Sequence, residues 1–126
     1  MAQNNFFMND TGIIEIITTG DRTASLIQSS ARKIFKFTAE LRKEGKPVLI
    51  LNDISQMGEL PPEAHKIFAD ITRAADYDRF ALVGNDNIMR LGANLIAQAI
   101  GKSDKLKYFD SHDQATAWLQ EFSPGK

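Results

Sequence analysis

The chain has 126 residues, of which 43% are hydrophobic and 25% charged, so it is read as a single globular domain over residues 1–126, with a core from about residue 6 to residue 122. Fifteen basic and sixteen acidic side chains leave a formal charge of −1, which gives no global attraction to nucleic acid or to an anionic membrane surface. With no cysteine, a disulfide framework, a thiolate metal site and a cysteine nucleophile are all excluded.

The opening residues Met1 to Asn5 are polar, with no basic cluster and no apolar run behind them, so no secretory signal is expected. No stretch approaches the ~20 apolar residues that a membrane helix needs. The expectation is a cytoplasmic protein without membrane insertion, ending in a frayed Ser123-Pro124-Gly125-Lys126 tail.

In chain order, Phe6 to Met8 and Gly12 to Thr18 read as two short strands joined by the turn Asn9-Asp10-Thr11-Gly12. Ile13, Ile14, Ile16 and Ile17 suit a strand buried on both faces. A helix is expected from about Asp21, its N-cap, to Glu44, with Gly45 as the stop. Its core stripe is Ile27, Ala31, Ile34, Thr38 and Leu41, widened by Phe35 on one side and by Leu26 and Phe37 on the other. Pro47 to Asn52 is a continuous apolar run and reads as a central strand, followed by a loop from Asp53 to Leu60. Pro61-Pro62 opens a second helix that buries Ala64, Ile67, Phe68, Ile71 and Ala75. Phe80 to Val83 is the next strand. Asn85 to Ile100 is a third helix, with Ile88, Leu91, Leu95, Ile96 and Ala99 facing the core. Lys105 to Phe109 is the last strand, and Ser111 caps a last helix carrying Ala115, Trp118, Leu119 and Phe122.

The order ββαβαβαβα predicts an α/β fold with a mixed, mostly parallel sheet covered by helices. Ligands of such sheets sit beyond the carboxyl ends of the strands, so the loops there are the places to search. Thr18-Thr19-Gly20-Asp21-Arg22 has one glycine, without dinucleotide or Gly-Lys-Ser/Thr spacing, and reads as a turn with a cap. The loop after the central strand is more mixed, and Asp53, Ser55, Gln56, Met57 and Glu59 are candidate ligand or partner residues. Asn85 and Asp86 join them from the next strand end, although both are also helix-start signals.

Catalytic chemistry finds little support. A phospho-acceptor Asp53 would need Mg²⁺ and further oxygen ligands, yet the neighbouring strand ends in Thr18-Thr19. Ser55, His112 and Asp53 can be drawn as a triad, but no G-x-S-x-G exists. His65 and His112 lack metal-ligand spacing and read as solvated helix-start residues. Asp53 or Glu59 could act as a base only if burial raised its pKa. No catalytic residue, metal or cofactor is expected. Apolar side chains at helix edges are candidates for an interface: Leu26 and Phe37 on the first helix, and Met89, Ala93, Ile96 and Ile100 on the third. They would serve a protein partner, a second copy in a two-fold homodimer, or a small apolar ligand.

The run VLILNDISQMGELPPEAHKIFADI, the strand FALVGNDN and the end YFDSHDQATAWLQ resemble the SpoIIAA-like group, which holds the STAS domains and relatives grouped with CRAL-TRIO lipid-binding domains. The most specific part is Phe109-Asp110 followed by Ala115-Thr116-Ala117-Trp118-Leu119. The resemblance is to small single-domain bacterial members in particular. It implies a non-enzymatic regulatory or protein-interaction module, or alternatively a small apolar-ligand or lipid carrier. Anti-sigma-factor antagonists of the group are switched by phosphorylation of a serine in an Asp-Ser-Gly-type segment. The matching stretch here, Glu59-Leu60-Pro61-Pro62-Glu63, has no serine, so no phosphosite is carried over.

Overall fold

The computed structural model describes residues 3–8, 12–20, 24–58 and 62–122, with the side chains of residues 3–5, 24, 64 and 65 outside that description. The Asn9-Asp10-Thr11 turn, the Asp21 cap, Glu59 and the C-terminal tail lie outside the described residues, as do the side chains of Ala64 and His65. The elements are β1 (Gln3–Met8), β2 (Ile14–Gly20), α1 (Ala24–Lys43), β3 (Leu49–Met57), α2 (Pro62–Ala74), β4 (Arg79–Val83), α3 (Asn87–Ala99), β5 (Leu106–Phe109) and α4 (His112–Gln120). This is the expected ββαβαβαβα order.

The strands form one five-stranded sheet in sequence order, β1-β2-β3-β4-β5. β1 runs antiparallel to β2, and all later neighbours are parallel. Because every crossover steps in the same direction and parallel crossovers are right-handed, α1, α2 and α3 are bound to one face of the sheet. The two cores agree. Ile14, Ile16, Ile50, Phe80, Leu82 and Leu106 pack with side chains of these helices, including Ile34, Phe68 and Ile96. On the other face Ile13, Leu49, Leu51, Ala81 and Val83 meet α4, through Ala115, Trp118 and Leu119.

Local signals place most ends. Ser111 accepts a hydrogen bond from the Gln114 amide and caps α4, and Asp86 accepts from the Met89 amide and caps α3. Lys102 donates to the last carbonyls around the end of α2, those of Thr72, Arg73 and Ala75. Arg42 grips Asp76 and Asp78, tying the end of α1 to the approach of β4.

Two expectations need correction. The segment from Asp53 to Met57 is strand, not loop. It continues β3 because Gln56 and Met57 pair with Thr19 and Gly20 of β2, and the Gly58 amide donates to the Gly20 carbonyl. Between the Ile17–Asp53 and Thr19–Gln56 pairs, β3 holds one extra residue, a bulge. The Asp53 carboxylate accepts from both the amide and the hydroxyl of Ser55, at 2.9 and 2.6 Å, and braces that bulge.

The second correction concerns α3. Ile88, Leu91 and Leu95, expected in the core, are 84%, 62% and 56% exposed, and Ala99, expected beside them, is exposed too. Ala93, named as an interface edge, is buried, as is Ile96, which was expected on both the core face and that edge, with Met89 and Ile100 packed beside them. The helix carries two apolar stripes, and periodicity alone does not say which one docks. The inner stripe also contains Ala97, whose small side chain lets the helix approach the sheet.

Candidate functional site

A cavity of about 490 Å³ lies between the sheet and the three-helix layer. Its floor is Ile16 and Thr18 of β2, Asn52, Ile54 and Met57 of β3, and Phe80 and Leu82 of β4. The walls come from Ile27, Ser30, Ala31 and Ile34 of α1, Phe68, Ile71 and Thr72 of α2, and Met89, Gly92, Ala93 and Ile96 of α3. Small residues face inward where the helices pass over the sheet: Ser30 and Ala31 on α1, Gly92 and Ala93 on α3. Larger side chains there would close the space. α1 packs on α2, whereas α3 is held mainly by β5, which leaves room between them.

The lining is mostly apolar, and among the described residues Asp86 is its single ionisable side chain. Gly58, Asp86 and Ile88 line the cavity and are themselves exposed, so they form its rim. All three follow or flank carboxyl ends of strands, the position open α/β sheets use for ligands. The β3 bulge matters here. It shifts side-chain parity by one, so Met57 turns to the same face as Asn52 and Ile54.

Gly84 supports the rim. A Cβ at this position would stand 2.6 Å from the Tyr108 hydroxyl oxygen and 3.0 Å from Met89 Sδ. Only glycine lets β4 end this close to both. The Tyr108 hydroxyl donates to the Asp86 carbonyl at 3.2 Å, and burial pushes its pKa up. Arg90 covers the Tyr108 ring and pairs with Asp110.

The deepest polar feature is the pair Asn52 and Thr18, only 6% and 5% exposed. Asn52 Nδ2 donates to the Ile16 carbonyl at 3.1 Å and to Thr18 Oγ1 at 3.0 Å. The Ile16 carbonyl fixes the amide orientation, since the reversed amide would set two acceptors against each other.

Of the residues singled out by sequence, Met57 and Asp86 line the cavity, as do Met89, Ala93 and Ile96. Asp53 and Ser55 build the bulge instead, and Asn85 donates to the Ser55 carbonyl at 3.2 Å. Gln56 is exposed and Glu59 lies outside the described residues. Leu26 and Ile100 are half-buried, and Phe37 stacks on Phe6 with ring centroids 6.4 Å apart, so these residues do not form one exposed patch. His112 is not simply solvated, because its Nε2 lies 2.7 Å from Oε1 of the nearly buried Glu15. Asn52 was missed as a site residue. Its signal was a polar side chain sharing strand parity with Val48 and Ile50 inside an apolar run.

Among the described residues no group of three or more histidine, aspartate or glutamate side chains could hold a metal ion. No described helix is long and apolar enough to cross a membrane. No curated protein matches the sequence. A crystal structure of an uncharacterised protein with a SpoIIAA-like fold from Shewanella loihica is similar, with a TM-score of 0.67 at 14% identity over 94% of this chain and 93% of that one. The SpoIIAA-like family model matches residues 13–120, and the chain belongs to that family.

Proposed function

We propose that this protein is a non-enzymatic binding module that takes up a small, mostly apolar molecule between its sheet and helices α1 to α3. The observation that carries this reading is the cavity of about 490 Å³, within the range of small-molecule sites, with an apolar lining and few polar groups. The family resemblance that groups such domains with CRAL-TRIO lipid binders is consistent with it. Two residues considered for catalysis are engaged otherwise: Asp53 and Ser55 hold the β3 bulge together. Native mass spectrometry of protein drawn gently from its own host tests the proposal. The wild type should retain a small molecule, and Ala93→Leu, which fills the cavity, should release it. A wild type that carries nothing and takes up no added apolar probe would overturn it.

A second reading, a module acting through protein contact, is favoured by Ile88, Leu91 and Leu95, which form an exposed apolar stripe along α3. Sedimentation at high concentration tests its self-association form. Reversible dimerisation of the wild type, abolished by Leu91→Glu, would support it. Two monomeric proteins would remove it.

A further inference from the structure

The polar pair in the cavity specifies what kind of ligand fits. Both Nδ2 protons of Asn52 are committed, to the Ile16 carbonyl and to Thr18 Oγ1. No described group donates to Asn52 Oδ1, and the Thr18 hydroxyl proton has no described acceptor. One buried acceptor and one buried donor therefore sit side by side on the cavity floor, each more than nine-tenths buried. The Thr72 hydroxyl, by contrast, turns back onto the Phe68 and Ala69 carbonyls of its own helix. Unpaired buried polar groups are costly, so a ligand that satisfies both gains affinity and orientation.

Charge narrows the choice. Among the described residues no lysine, arginine or histidine lines the cavity, and the one ionisable group of that described lining, Asp86, is an acid at the rim. A carboxylate or phosphate head would face Asn52 Oδ1, an acceptor against an anion, with no cation among the described lining residues to offset its desolvation. An ammonium beside Asn52 and Thr18 would leave water for an apolar floor, since the acid Asp86 stands at the exposed rim.

We infer that the cavity selects an uncharged apolar molecule bearing one hydroxyl or amide group, which donates to Asn52 Oδ1 and accepts from the Thr18 hydroxyl. This inference rests on the proposed binding function and adds the chemistry of the ligand head.

Calorimetric titration with four probes of one shape tests it: toluene, p-cresol, p-toluamide and p-toluate. The expected result is p-cresol and p-toluamide binding roughly ten-fold more tightly than toluene, the gain of two neutral hydrogen bonds. p-Toluate should bind no better than toluene. Thr18→Val keeps the shape of the side chain and removes the donor, so it should lower the p-cresol preference several-fold while toluene binding persists. Asn52→Leu should do the same. If loss of the amide leaves the Ile16 carbonyl unpaired and that variant does not fold, Thr18→Val decides. Equal binding of all four probes, or p-toluate binding best, overturns the inference and leaves the apolar site standing. Binding of none overturns the site as well.

Discussion

The two faces of the sheet are built to different standards. The face under α4 is a solid core, in which Ala115 and Leu119 are fully buried and Trp118 leans on the Phe109 ring at 5.4 Å. Arg79 reaches across to lie over the same indole and donates to the Trp118 carbonyl. The face under α1, α2 and α3 has three helices to cover it and still encloses about 490 Å³. More covering structure gives a less filled interior because small residues were placed where the helices cross the sheet. A void lined by packed side chains forfeits contact energy, which the proposed ligand would restore.

Opposite substitutions should therefore have opposite consequences on the two faces. Leu119→Ala, under α4, should cost about 2–5 kcal/mol in denaturant unfolding, since a tight core does not relax around the lost atoms. Ala93→Leu, on the cavity side, should change stability by less than about 1.5 kcal/mol, because the added atoms enter existing space. An equal loss for both would erase the distinction between the faces. Gly84→Ala should cost about 1–3 kcal/mol, because the new methyl displaces the Tyr108 ring and loosens the cavity rim. The same titrations should show weaker probe binding in that variant.

The smallest effect is expected far from the cavity, at the opposite end of the sheet. Arg42→Ala should cost about 1 kcal/mol at neutral pH, since Asp76 is exposed and Arg42 is partly solvated. Its hydrogen bonds from Arg42 hold the Asp76 carboxyl below the usual aspartate range. A carboxyl whose folded pKa is depressed contributes fully above its unfolded pKa, and that contribution is lost as pH falls through the folded value. The wild type should thus lose stability more steeply than Arg42→Ala below about pH 4. Parallel acid curves would show that the ion pair adds nothing. Probe binding should be unchanged in this variant.

Much of the fold was legible from spacing. The α1 stripe of Ile27, Ala31, Ile34, Thr38 and Leu41 is buried at every position. The Ser111 and Asp86 caps follow from short polar side chains before apolar helices. The failures have one cause, dependence on contacts distant in sequence. Asp53 to Met57 reads as a loop because its strand character comes from pairing with Thr19 and Gly20, over thirty residues away. The two apolar stripes of α3 are equivalent until the sheet selects one. Asn52 could be placed on a face by parity, but its meeting with Thr18 depends on the β2–β3 register and bulge. The cavity is least legible of all, being a volume left by three helices together.

The most direct test is a methyl-resolved NMR titration of the intact protein with p-cresol. Saturable shifts should appear at the methyls of Ile16, Ile54 and Ile96, while those of Ala115 and Leu119, on the other face, stay still. Shifts spread equally over both faces, or none at any probe concentration, would contradict the account.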